Sequence, residues 1–420
     1  MATTEKAESP TKPVRRRRAP AATKPRAVRA TRPEVKVEIP ENTGEHLNIL
    51  VLQGGGALGA YHLGVMEELD HIGLPPDWVA GISIGAVNAA LIAGNRPRER
   101  VKALRRFWEI VSGDLVPLFP LPKAGPLRDL WTEAAAGWAA MTGVSGMFRP
   151  RIPWLVPPGS PGATSLYDPE PLRETLLELI DFDYLNDGPV RLSVGAVSVT
   201  TGRIHFFDNR GGPDHCRLTV DHVLASSALP PSFPPVQIGA DSYWDGSVAS
   251  NAPLQHVLDE LPFTDKNIFQ VDLFPAEGDY PKNLYEAEMR QQDIRFSSRT
   301  RLGTSLNAEL TPVRRMVRHL VERCDSNFSA LTPEELTLLQ KFAAEPRVEI
   351  VQIIYRDKAY AGLARTFEFS RPTMEAHRAA GQRDADRVCC IRDWRQGPTE
   401  RGVQVTDAAT ADCDPNIRFP

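Results

Sequence analysis

The sequence predicts an α/β protein with a mainly parallel central sheet covered by helices on both faces, a three-layer α/β/α arrangement. Three observations lead there. From Leu47 onward, apolar runs of strand length alternate with helical periodicity, the pattern of parallel strands joined by helical crossovers. The second of these strands breaks abruptly into a turn bracketed by glycines, followed by a small-residue helix. The chain has 420 residues at 42% hydrophobic content, enough for one large core.

Taken in order, Leu47 to Leu52 reads as a short buried strand running into Gly54-Gly55-Gly56. Tyr61, Leu63, Val65, Met66 and Leu69 then mark a helix ending near Gly73. Trp78 to Ile82 is the second strand, and Ala86 to Ala93 the helix after it. Residues 108–161 are rich in Pro and Trp (Trp108, Trp131, Trp138, Trp154) and read as an insertion: either a lid or membrane-contact surface, or ordinary core packing. Helical periodicity returns at Leu172–Ile180 and Val220–Ala228, with a strand at Arg191–Thr200 and a hairpin mate at Arg203–Phe207. Beyond a strand at Asn267–Leu273 and a charged helical zone at 283–323 come a capped helix at Thr332–Phe342, a strand at Val348–Tyr355 and a helix at Thr373–Cys390. From residue 394 the chain is polar and reads as a tail.

The net charge of −4 conceals an asymmetry, since residues 1–36 carry eleven Lys or Arg against three Asp or Glu. Residues 1–44, rich in Pro, Ala and Arg, hold too little apolar surface to offset ordering entropy and read as a disordered basic tail. Its Arg15–Arg18 run suits an anionic membrane or granule, or a solubilising arm; nucleic acid is not an expected partner. No apolar run approaches bilayer-spanning length, and no secretory core follows the arginines. Five scattered cysteines without metal-ligand spacing point to a reducing, cytoplasmic setting rather than a disulfide framework.

The chemistry-bearing signals are three. Gly81-x-Ser83-x-Gly85 lies between a strand and a helix, where a serine on so tight a turn needs glycine neighbours and presents its Oγ at a helix N-terminus. Gly54-Gly55-Gly56-Ala57-Leu58-Gly59 follows the first strand and has two readings. As a dinucleotide fingerprint it lacks an acidic residue closing the second strand, because that strand closes in the serine turn and Asp77 precedes it. As an oxyanion hole, the bare N–H groups of Gly54, Gly55 and Gly56 let a carbonyl approach, and this reading is favoured. Asp245, in Tyr243-Trp244-Asp245-Gly246, has two readings: an Asp-Gly turn of the ordinary kind, or a base, since the adjacent rings offer the desolvation that a carboxylate needs to accept a proton near neutral pH. Asp187-Gly188 is an ordinary turn by comparison.

Together these blocks resemble the patatin-like phospholipase family, which opens with strand, glycine loop and helix and continues into the G-x-S-x-G elbow. Ala225 to Pro230 with Phe233, and Trp244 to Ser247 with Asn251 and Pro253, look like its later blocks, and 369–385 is similar to an extra C-terminal region of a bacterial subgroup. The resemblance implies a patatin-like fold, with Ser83 as nucleophile, Asp245 as its only catalytic partner, Gly54 to Gly56 as oxyanion hole, and Gly59, Gly81, Gly85 and Gly246 as supporting positions. Leu58 stands where members often carry Arg or Lys, and Ser247 where Gly or Ala is usual. The domains that follow are a tail at 1–44, a catalytic domain at 45–290, a C-terminal helix-and-strand region at 291–393 packed on it, and a polar tail at 394–420.

A histidine triad is the nearest rival, with His256, His319 and His377 following Asp245 in the chain, but only one strand precedes the strand that leads into Ser83, where that fold normally places several. His62, inside the first helix, reads as packed. The expectation is a lipid acyl-ester hydrolase of phospholipase or lysophospholipase type. It needs no cofactor and no metal in its chemistry, acts on a lipid ester and touches a membrane or lipid granule peripherally. A storage-polyester depolymerase, a non-catalytic membrane- or granule-associated scaffold and a dinucleotide-binding oxidoreductase are the alternatives.

Overall fold

The computed structural model describes residues 46–113, 126–160, 162–211, 215–260, 264–297, 300–323, 328, 331–344, 346–356 and 365–412. The expected basic tail, part of the insertion, Cys324 and Cys413 lie outside them.

In chain order the elements are β1 His46–Leu52, α1 Ala60–His71, β2 Trp78–Ile82, α2 Ile84–Ala93, α3 Pro97–Val111 and α4 Pro126–Thr142. The short strands β3 Arg149–Pro150 and β4 Tyr167–Asp168 pair with each other and lead to α5 Glu170–Leu179 and α6 Phe182–Asp187. Next come β5 Arg191–Ser198, β6 Ile204–Asp208, α7 Val220–Ser226, β7 Val236–Ile238, β8 Asp241–Asp245 and α8 Leu254–Asp259. The chain continues through β9 Asp265–Asp272, α9 Leu284–Phe296, α10 Thr300–Arg323, α11 Pro333–Ala343, β10 Arg347–Ile354, α12 Arg371–Ile391 and β11 Gly402–Asp407.

One sheet runs in the order β11-β10-β9-β1-β2-β5-β8-β7, with β6 also on β5. Every pairing from β11 to β5 is parallel, and the pairings among β5, β6, β7 and β8 are antiparallel. Strands buried on both faces need apolar or paired side chains throughout, and β2, β5 and β9 are buried along their whole length. Alternation along β1 sends Leu50 and Leu52 into the larger core and Ile49 and Val51 into a smaller one under α8, so helices cover both faces as expected.

The C-terminal region departs from the sequence reading in two ways. Its strand β10 does not pack on the domain from outside but extends the same sheet, pairing with β9. The expected polar tail from 394 is also ordered through 412: Trp394 is fully buried, donating Nε1–H to Val388 O at 2.8 Å, and β11 pairs with β10. The reason is local, because Val403 packs into the smaller core while Gln404 and Thr406 alternate with it on a half-exposed edge strand. Cys390 is disulfide-bonded, against the reading of the cysteines as thiols, while Cys216 and Cys389 remain thiols; chain spacing does not reveal which sulfurs a fold brings together.

Helix α12 crosses α1 at very short range. A Cβ on Gly64 would sit 1.9 Å from Arg378 O and one on Gly381 2.1 Å from Tyr61 O, so glycine at both points lets the backbones touch. Tyr61 stacks on Tyr355 at 4.4 Å and donates its hydroxyl to Asp384, and Tyr355 pairs with His377 Nδ1 at 2.7 Å. The region from Phe369 to Ala385 therefore braces the helix that follows the glycine loop.

Candidate active site

Strand β2 delivers Ser83 onto a strained turn. Ser83 has φ 59° and ψ −130°, the one non-glycine residue with positive φ among those described. Such a conformation costs on the order of 1–3 kcal/mol and persists only where the surroundings enforce it. The enforcement comes from close backbone contacts: a Cβ on Gly81 would fall 2.3 Å from Gly85 O, and one on Gly85 2.2 Å from Leu52 O. Ser226 ties the turn to β5, accepting the Ser83 N–H at 3.1 Å and donating to Gly195 O at 2.6 Å. Ser83 also caps the start of α2, whose partial positive end favours negative charge on Oγ.

Sheet register brings Asp245 to the same place. Ile82, the last residue of β2, pairs with Gly195, and Asp245, the last of β8, pairs with the next residue, Ala196. Because β6 occupies the other edge of β5 along this stretch, β2 and β8 share one edge and meet end to end. Asp245 is fully buried, and burial pushes its carboxyl from the ordinary 3.8 up to about 6. Hydrogen bonds from Ser247 and Ser83 pull the other way but do not cancel it. Oδ1 accepts the Ser247 N–H at 2.8 Å, which fixes the carboxylate plane. The Ser83 hydroxyl is near enough to act on the carboxylate, while Oδ2 has no donor in full hydrogen-bond geometry. Of the two rings expected to shield it, alternation puts Tyr243 on the Asp245 face of the strand and sends Trp244 to the other.

The glycine loop lies across from this pair. A Cβ on Gly54 would come within 2.8 Å of Ser83 Cβ and 2.6 Å of Asn251 Oδ1, and Gly56 has φ +57° with Thr366 O 2.3 Å from where its Cβ would be. The Gly54 N–H is already engaged by Asn251 O at 3.3 Å, which narrows the expected oxyanion donors to Gly55 and Gly56. Asn251 Nδ2 donates to Gly54 O at 3.1 Å and Phe296 O at 2.9 Å, while Gln53 Nε2 also reaches Phe296 O. Gly59 and Gly246 serve packing, their Cβ positions falling 2.6 Å from Ile84 Cγ1 and 2.6 Å from Gly195 O.

Ser83, Asp245 and Gly54 to Gly56 all line one cavity of about 140 Å³ whose remaining wall is largely aromatic and aliphatic. Such a space suits an uncharged ester and hydrocarbon chain. The resemblance pointed to Asn251 and Phe369 without a role for either; Ser247 as a donor to the carboxylate, and Thr366 and Phe367 as wall, had no local signal at all.

The rival histidines are elsewhere, and none lines the cavity among the described residues. His256 Nε2 pairs with Ser193 Oγ at 3.2 Å and its ring stacks on Phe206, His377 is buried against Tyr355, and His319 lies exposed on α10. His62 is buried, its Nδ1 3.0 Å from Asn88 Nδ2, and burial lowers it to about 3, so it stays neutral. Leu58 is core, with no charge to offer a head group. The tryptophans divide: Trp108 is buried with its N–H on Asn88 Oδ1, whereas Trp138 and Trp154 are 56% and 78% exposed. Among the described residues no cluster of three His, Cys, Asp or Glu is arranged to hold a metal, and no helix is long and apolar enough to cross a membrane.

A family model described as Patatin-like phospholipase matches residues 50–258, and another described as Patatin phospholipase matches 294–401. Patatin-like phospholipase domain-containing protein 6 of Mus musculus is 39% identical over 87 residues, 20% of this chain and 6% of that protein. Two proteins named cGAMP-activated phospholipase, from Vibrio cholerae serotype O1 and Pseudomonas aeruginosa, are each 27% identical, over 233 and 215 residues. Those matches take in 51% and 49% of this chain and 57% and 54% of the relatives, so the chain spans little more than half of their length. The three-layer sheet and the glycine loop facing a serine elbow define a patatin-type α/β/α protein. This chain belongs to the patatin-like phospholipase family.

Proposed function

We propose that the protein is a lipid acyl-ester hydrolase working through Ser83 and Asp245. Asp245 accepts the hydroxyl proton as Ser83 Oγ bonds to the ester carbonyl carbon, and the Gly55 and Gly56 N–H groups hold the oxyanion. Collapse of the tetrahedral adduct breaks the ester bond, with Asp245 returning the proton to the departing alkoxide. Water, deprotonated in turn by Asp245, then bonds to the acyl carbon; the bond from that carbon to Ser83 Oγ breaks, Asp245 returns the proton to Oγ, and the fatty acid leaves. The observation that carries this reading is the register that seats a buried carboxylate, its pKa raised by burial, beside a strained serine in an apolar cavity.

The relatives' names support a phospholipid-type ester as substrate. Peripheral contact with a lipid surface is supported by the outer face of the insertion, where Trp138, Met141, Trp154 and Leu155 are more than half exposed. Tryptophan favours the boundary between lipid and water. The test compares p-nitrophenyl ester hydrolysis by the wild type, Ser83→Ala and Asp245→Asn, with vesicle sedimentation of Trp138→Ala/Trp154→Ala. Both active-site variants lose hydrolysis, and the tryptophan variant keeps it while losing vesicle binding. Full hydrolysis by Asp245→Asn would refute the dyad.

A further inference from the structure

Residues 365–369 belong to the C-terminal region, nearly 300 positions from Ser83, yet Thr366, Phe367 and Phe369 line the same cavity as the nucleophile. We propose that this turn is the acyl-selecting wall of the site, its phenyl rings setting the length of hydrocarbon chain that reaches Ser83. The proposal rests on the hydrolase reading above and adds what decides its substrate.

The turn is held against the catalytic loop by contacts that leave it little freedom. Thr366 O presses on Gly56, where even a methyl group would not fit. Arg365, 1% exposed, donates Nη2–H to Asp293 Oδ1 on α9 at 2.8 Å, and its guanidinium lies 5.3 Å from the Phe274 ring centre. Phe274 in turn packs on Phe296 at 5.4 Å, and both rings line the cavity. On the far side, Phe369 is 4% exposed and meets Phe148, another wall residue, at 6.4 Å between ring centres. Arg128 on α4 donates to Thr373 Oγ1 at 2.7 Å, fastening the start of α12 to the insertion. A wall whose backbone is fixed in this way discriminates by size, because the turn does not move aside without breaking a buried ion pair or a close backbone contact.

Phe367 is the position to change, since it is only partly buried and packs at the core's margin rather than within it. Phe367→Ala opens the cavity and Phe367→Trp narrows it. The measurement is kcat/KM on p-nitrophenyl esters from butyrate to palmitate, with fluorophosphonate labelling of Ser83 on the same preparations. We expect the long-to-short chain ratio to rise roughly tenfold in Phe367→Ala and to fall in Phe367→Trp, labelling being retained. Labelled variants whose chain-length profile matches the wild type, or that lose activity equally across the series, overturn the wall. An unlabelled, inactive wild type would instead sink the hydrolase reading and this proposal with it. Phe367→Leu is a milder form of the same test, and it rises in the same direction if the larger changes impair folding.

Discussion

Replacing Asp245 by Asn separates what the carboxylate does for catalysis from what it costs the fold. Burial raises its pKa from 3.8 to about 6, so the folded protein holds the ionised form at a disadvantage relative to the unfolded chain. The linkage runs opposite to that of a salt-bridged acid. Below pH 3.8 the group is protonated in both states and costs nothing; between 3.8 and about 6 the penalty grows; above 6 it is complete, at about 3 kcal/mol. Asn keeps the shape and retains an oxygen for the Ser247 N–H while removing the charge. Thermal unfolding of the variant is therefore expected a few degrees above wild type at pH 8, with the difference shrinking toward zero near pH 4. Ester hydrolysis meanwhile falls by about 10²- to 10⁴-fold. An Asn variant less stable than wild type at pH 8, or a gap that does not close on acidification, would show that the carboxylate is not a buried, uncompensated charge.

The same titration governs the rate. Only the ionised carboxylate takes the Ser83 proton, so kcat/KM on a soluble ester is expected to level off above about pH 6 and drop about tenfold per pH unit below it; a flat profile down to pH 4.5 contradicts Asp245 as base. Gly54→Ala forces a methyl against Ser83 and Asn251, and it is expected to lower kcat/KM by about 10²-fold in a protein whose circular dichroism is unchanged; wild-type rates would mean that the loop does not face the nucleophile. Gly381→Leu drives a side chain into the α1 backbone and should cost about 3 kcal/mol or more in urea unfolding, whereas an unaltered midpoint would refute the close helix crossing.

What was legible in the sequence was local. The elbow at Gly81–Gly85 and the loop at Gly54–Gly59 announce themselves because their glycines answer contacts within a few residues or across one turn, and the parallel strands show as short apolar runs. The meeting of Ser83 with Asp245 was available only through the resemblance, because it depends on β8 pairing with β5 at Ala196, a register that no periodicity in Asp241–Asp245 reveals. The edge strand at 402–407 was missed because six mostly polar residues after a Trp-containing turn resemble a polar tail until Val403 finds a core to enter. The aromatic wall from the C-terminal region was invisible for a similar reason: Thr366 and Phe367 acquire meaning only when the sheet extends through β10 and returns the chain to Gly56. Even Leu58, a departure at a position often basic in the family, became interpretable only once its full burial was seen.

The central claim, that Ser83 is the nucleophile of an acyl transfer, is tested most directly by intact-mass and peptide mass spectrometry after reaction with a fluorophosphonate. One adduct per chain is expected, on the peptide bearing Ser83, formed slowly in Asp245→Asn and absent in Ser83→Ala. An adduct on any other residue, or undiminished labelling of the Ser83→Ala protein, would contradict it.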